Sequence, residues 1–136
     1  MGEPELNDTD YEVLADFRHT LRRFLVFSEG KAAEFGLTPQ QHQALLAIRA
    51  APEGKASIGY VAERLTLKPH SVSGLADRLE ALGLLTRVPS PGDRGQALLA
   101  LTDKARRVLA RLSATHREEI RRLRPMLADL LARIDT

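Results

Sequence analysis

The chain has 136 residues, is 43% hydrophobic and 28% charged, and so reads as one ordinary globular domain, large enough for a core without metal or disulfide staples. It has no cysteine, which excludes disulfide frameworks, thiolate zinc sites, iron–sulfur clusters, cysteine nucleophiles and thiol redox switches. The net charge is only +2, yet residues 1–35 carry eight acids against four bases, and residues 104–124 carry eight bases against two acids. The basic segment can track a polyanion such as DNA, rest against the acidic segment, or be a solvated face of an arginine-rich helix.

No apolar run approaches the ~20 residues of a membrane-spanning helix. The polar, acidic start MGEPELNDTDYE is unlike a signal peptide, so a cytoplasmic location is expected. Aromatics are few: no Trp, two Tyr and four Phe. The core must then be built mainly from Leu and Ala, which favours helices over sheets.

Leu14, Phe17, Leu21, Phe24 and Leu25 follow the spacing of an amphipathic helix, predicted over Asp10 to Glu34 and stopped by Gly36. Thr38, Pro39 and Gln41 form a capping-box start for a second helix reaching about Ala50. Ser57 can cap a short helix bearing Ile58, Val61, Ala62 and Leu65. Thr66 to Pro69 link it to another bearing Val72, Leu75, Leu79 and Leu82, stopped by Gly83. Two helices joined so tightly make a helix-turn-helix pattern.

Leu84–Val88 and Ala97–Leu101 read as strands around the turn-rich PSPGDRGQ, which makes a hairpin, a wing, directly after the second helix of the pair. Thr102 and Asp103 then cap a long helix, and Pro125 is expected to open a separate final helix bearing Leu127, Leu130, Leu131 and Ile134. The predicted class is mainly α with a small β-hairpin wing, about six helices in all.

The run from Ser57 to Ala105 resembles the winged-helix core of the multiple-antibiotic-resistance regulator (MarR) family. Three features carry it: Leu67-Lys68-Pro69 leading into Val72-Ser73, the run LADRLEALGLLTR, and Asp93-Arg94 ahead of Leu101-Thr102-Asp103. LTPQQHQALLAI is similar to the family's second helix, so the resemblance covers nearly the whole chain. It implies a homodimeric transcriptional regulator, expected to be a repressor, that binds pseudo-palindromic double-stranded DNA. It also implies a dimerisation region over residues 10–35 and 102–136 and a DNA-binding winged helix over 37–101. Leu14, Phe17, Leu21, Leu127, Leu130, Leu131 and Ile134 are its candidate dimer contacts, and the acidic first helix is expected to meet the basic fifth within the dimer.

A recognition helix meets base edges with its first turn. Here that turn offers Lys68, Pro69, His70, Ser71 and Ser73, with Gly74 allowing close approach. The serines can serve bases, phosphates or only the backbone, and His70 can reach a purine acceptor or a phosphate or simply be exposed. Lys68 stands where the family commonly has a capping Ser; a lysine cannot accept the orphan amides, a loss of about 1 kcal/mol that a phosphate contact can offset. By resemblance Arg94 sits at the wing tip, placed for the narrow minor groove. Asp93 is suited to orienting a neighbouring arginine or fixing the turn. Gly95 and Gln96 follow where a second base is usual. Arg78 and Arg87 are candidates for phosphate contacts or for salt bridges within the chain.

The resemblance further implies release from DNA by a small aromatic or anionic effector held between the dimerisation helices and the winged helix. Arg22, Arg23, Phe24 and His42 are the candidates. His42 replaces an apolar or aromatic residue usual in the family, and its hydrogen bonding and near-neutral pKa suit an anion or a proton; packing against a neighbouring helix is the plain alternative. The arginine pair can equally form interface salt bridges. His19, His42, His70 and His116 lack paired metal-ligand spacing, so no metal and no cofactor are expected. With no phosphate-binding glycine loop, GxSxG elbow or HExxH motif, an enzyme is not expected either. The competing reading is a winged helix that serves protein interaction, with weak or no specific DNA binding.

Overall fold

The computed structural model describes residues 2–90 and 97–134. Five α-helices and one hairpin follow in chain order: α1 (Asp8–Glu34), α2 (Pro39–Ala50), α3 (Ile58–Leu65), α4 (Pro69–Ala81), β1 (Leu85–Pro89), β2 (Ala97–Leu101) and α5 (Asp103–Ile134), with a single 3-10 turn at Pro52–Gly54. This is the winged-helix arrangement the sequence predicts.

The helix ends follow from local chemistry. Asn7 and Asp10 form a reciprocal capping box that starts α1 two residues before the predicted position. Thr38 and Gln41 do the same for α2, with Pro39 in its first turn. Ser57 caps α3 through the Tyr60 amide. Gly36 and Gly83 take left-handed backbone at the ends of α1 and α4. Each lets the following amide reach back to the last turn: Leu37 N–H donates to the Ala32 carbonyl and Leu84 N–H to the Leu79 carbonyl, both at 3.0 Å.

α3 and α4 pack on α2 and the hairpin around an aliphatic core of Leu45, Val61, Val72, Leu79 and Leu85, with Leu112 of α5 closing it. Each such side chain contributes about 1.5–3 kcal/mol on leaving water. The hairpin is antiparallel, pairing Leu85 with Leu101, Arg87 with Leu99 and Pro89 with Ala97. Leu99 N–H also donates to the Ala56 carbonyl at 2.7 Å, fastening the hairpin to the start of α3. Thr102 joins the recognition element to α5. Its hydroxyl accepts from the Ala105 amide at 3.1 Å and donates to the Gly83 carbonyl at 2.8 Å.

The far ends of the chain correct the sequence reading at one point. Pro125 does not open a separate sixth helix; it lies inside a continuous α5 of 32 residues. Proline cannot donate to the carbonyl four residues back and ordinarily interrupts a helix. Here both flanks are docked on α1: the Thr20 hydroxyl lies 2.9 Å from the Met126 sulfur, Leu130 is buried, and Arg133 pairs with Asp16 at 3.2 Å. Packing of the flanking turns outweighs one missing backbone bond.

Candidate nucleic-acid interface and the cavity behind it

The first turn of α4 is presented by the core beneath it. Val72, Leu75, Ala76 and Leu79 are buried, so the opposite face turns outward, and Lys68, Pro69, His70 and Ser71 are exposed while Ser73 and Gly74 are half-buried. Lys68 occupies the cap position and makes no side-chain capping bond, as its chemistry requires; its carbonyl accepts from the Ser71 amide at 2.9 Å and the Val72 amide at 3.2 Å. Pro69 has no amide hydrogen and the Ser71 amide is taken up by Lys68. The turn thus has no side-chain cap and presents its positive end beside an ammonium group, a local field that favours an anion. A Cβ added at Gly74 would meet the Arg78 guanidinium at 3.7 Å, an ordinary contact, so Gly74 keeps this face low without being sterically obligatory.

Arg78 and Arg87 separate in the structure. Arg78 is exposed. Arg87 on β1 reaches back to α4, 2.8 Å from Asp77 and 3.8 Å from Glu80, so its guanidinium braces the hairpin against the recognition helix. Asp93 and Arg94, predicted at the wing tip, lie outside the described residues.

Behind this surface α1, α2 and α5 enclose an open cavity of about 680 Å³, lined by Phe24, Ser28, His42, His116, Arg117 and Arg121 among others. Of the four predicted pocket residues, Phe24 and His42 are here. Arg22 and Arg23 are not: they line a separate hollow of about 400 Å³ on α1 with His19, Val26 and Phe27. His42 is 5% exposed, and burial, followed by the neighbouring His116, lowers its pKa below the usual 6.5.

His116, Ser28 and Arg117 are cavity residues that the sequence reading did not single out. His116 had a signal: it follows Leu109 and Leu112 at seven and four residues, a polar side chain on the buried stripe of α5.

The predicted dimer contacts divide as well. Leu14, Phe17, Leu21 and Ile134 are 50%, 44%, 46% and 51% exposed, and Leu131 is exposed as well. Leu127 is half-buried and Leu130 is buried within the chain. α1 and α5 already lie against each other in one chain, joined by the Asp16–Arg133 pair. Arg121 and Arg122 are engaged with Glu118 and Glu119 on their own helix.

Comparison with known proteins agrees with this geometry. The HTH-type transcriptional repressor MdtR of Bacillus subtilis is 36% identical over 69 residues, which are 51% of this chain and 43% of MdtR; the match thus spans less than half of the curated relative's length. A MarR family protein from Bacillus stearothermophilus has a TM-score of 0.73 at 21% identity, over 97% of this chain and all of that one. A Staphylococcus aureus MepR variant, solved bound to an oligodeoxyribonucleotide, has a TM-score of 0.70 at 19% identity, over 96% and 98% of the two chains. The sequence profile of the MarR family matches residues 35–94, the segment that carries α2, the helix-turn-helix and the first strand of the hairpin. Residues 35–94 thus match the sequence pattern of the MarR family, and the flanking helices are folded as in solved structures of that family.

Proposed function

We propose that the chain acts as a homodimer that binds double-stranded DNA at a pseudo-palindromic operator and regulates transcription as a repressor. The observation that carries this reading is the uncapped first turn of α4, where Lys68, Pro69, His70 and Ser71 stand out from a helix whose opposite face is buried. A helix so presented fits the major groove, with Ser71, Ser73 and His70 toward bases and Lys68 and Arg78 toward phosphates. Arg94, flanked by Asp93, is assigned to the minor groove. The names of the relatives support it: MdtR is a repressor, and a MepR variant was solved with an oligodeoxyribonucleotide.

The exposed apolar stripe of Leu14, Phe17 and Leu21, with Leu131 and Ile134, supplies the dimer surface in this reading, since an isolated chain gains nothing by leaving it in water. Two recognition helices would then lie about 34 Å apart, one DNA turn. The cavity takes a small aromatic or anionic effector: its walls are largely apolar, with His42, His116, Arg117 and Arg121 supplying polar contacts.

The test is fluorescence anisotropy on DNA from beside the chain's own gene, across a salt series. Four or five phosphate contacts per half predict a log–log salt slope near −8 for a dimer, at roughly −0.9 per contact. Specific binding should exceed binding to random DNA by about 10³ or more. Weak binding without preference to that DNA and to a pool of randomised duplexes would overturn the reading in favour of a protein-interaction module.

A further inference from the structure

The cavity ends on two imidazoles that take no part in the proposed DNA contacts. His42 and His116 lie ring against ring, with centroids 4.9 Å apart and planes at 49°. His116 is fixed in place. Its Nδ1 is 2.7 Å from the Leu112 carbonyl, so it carries a hydrogen and donates; in the neutral ring Nε2 then accepts from the Ser28 hydroxyl at 2.8 Å. Phe24 and Phe27 meet the same ring edge-on at 6.0 and 5.5 Å. His42 differs: it is buried, yet no hydrogen bond to its ring is formed among the described residues.

This contact spans the junction of two parts of the fold. His42 belongs to α2, which packs on α3, α4 and β2 on one side and on α1 and α5 on the other, whereas Ser28 and His116 belong to the paired helices α1 and α5. The charged side chains in the cavity wall itself, Arg117 and Arg121, are both cations, while Lys31 nearby is paired with Glu34 at 3.5 Å. α5 contributes Arg117 and Arg121 to the cavity wall, the latter held by Glu118 at 3.0 Å. α1 contributes the neutral Ser28, while its Lys31 stands 5.8 Å over the Phe27 ring. α2 contributes the neutral Gln43, and no carboxylate is among the wall residues.

We propose that the His42–His116 contact is a proton-operated latch between α2 and the α1–α5 pair, closed while His42 is neutral and released when His42 takes up a proton. A neutral His42 packs on the His116 ring at little cost. A protonated one places a cation against that ring, with Arg117 and Arg121 in the same wall, and the relief is outward movement of the first turns of α2. Acidification therefore loosens the winged helix from the flanking helices. The further step, that loosening lowers operator affinity, rests on the DNA-binding reading; the latch does not.

The direction of the titration agrees with the geometry. Burial and the neighbouring His116 hold the His42 pKa below 6.5, so the unfolded chain takes up the proton first as pH falls. The contribution of His42 to stability is complete above about 6.5 and is lost progressively below it.

The test uses the full chain and two readouts that need no DNA. Histidine NMR should show His42 titrating below 6.5. Amide exchange, corrected for intrinsic rates, should be several-fold faster on the acid side of pH 6.5 at residues 42–46 of α2, and His42→Gln should abolish that acceleration. Titration of His42 at or above 6.5, or α2 exchange that ignores pH, would overturn the latch, as would acceleration persisting in His42→Gln. Should His42→Gln fail to fold, the wild-type titration and exchange decide alone. On operator DNA, acid should weaken the wild type more than His42→Gln. If exchange responds to pH as stated and no DNA is bound at any pH, the DNA-binding reading fails and the latch stands.

Discussion

Thr66 closes the turn of the helix-turn-helix in a conformation that suits glycine. Its φ of 56° and ψ of 47° are left-handed, and they let the Leu67 amide donate to the Ala62 carbonyl at 2.9 Å. A β-branched residue there costs about 1–2 kcal/mol, while glycine costs about 0.4–1 kcal/mol through the freedom of its unfolded chain. Thr66→Gly should therefore stabilise the fold by about 0.5 kcal/mol, read as a higher denaturant midpoint with an unchanged slope. A lower midpoint would mean that the Thr66 side chain contributes more than it strains. Arg87 raises a different question, because its partners Asp77 and Glu80 lie within the chain. The pair is partly exposed, so Arg87→Ala should cost no more than about 1 kcal/mol. If Arg87 serves only as a brace, the salt slope of operator binding will stay unchanged; a slope shallower by about one per half-site would assign it to a phosphate.

Among the elements, α4 carries the sharpest opposition between stability and use. Its neighbours α2 and α3 begin with capping side chains, whereas α4 begins with Lys68 and none. Lys68→Ser should restore the cap and stabilise the chain by about 1 kcal/mol. The same change should weaken operator binding and flatten its salt dependence. Measured together by thermal unfolding and anisotropy, opposite signs support a cost in stability borne for an anion contact. Equal binding by both proteins would make Lys68 a plain surface residue. At the wing, Arg94→Ala should lower operator affinity more than tenfold without changing the oligomeric state. Unchanged affinity in the titration would remove Arg94 from the interface.

At the scale of the whole molecule, α1 and α5 form a pair beside the winged helix, and their outer apolar side chains are the surface proposed for the dimer. Replacing Leu14 and Leu21, about half exposed, with Glu should leave the chain folded and shift sedimentation from dimer to monomer. A dimer unaffected by both changes would move the interface elsewhere. These substitutions are a cleaner probe than removing residues 125–136, which would also take away the buried Leu130 and the Asp16–Arg133 pair.

The sequence by itself determined the features set by neighbours along the chain. Capping residues, prolines and glycines announced where most helices begin and end, because their chemistry acts within one turn; apolar periodicity announced which faces are buried. The short link at Leu67 to Pro69 and the turn-rich segment between two strands announced the winged helix. What the tertiary structure decided depended on groups far apart in sequence. Pro125 reads locally as a start, whereas packing on α1, through Thr20 and Asp16 more than a hundred residues away and the buried Leu130, accompanies a continuous α5 across it. Arg22, Arg23, Phe24 and His42 read as one set, but successive helical residues point in different directions, and the arginines face another hollow. His42 alone could be a packing residue or a ligand residue. Its place against His116, with no acid beside it in the cavity wall, exists only because three helices converge there.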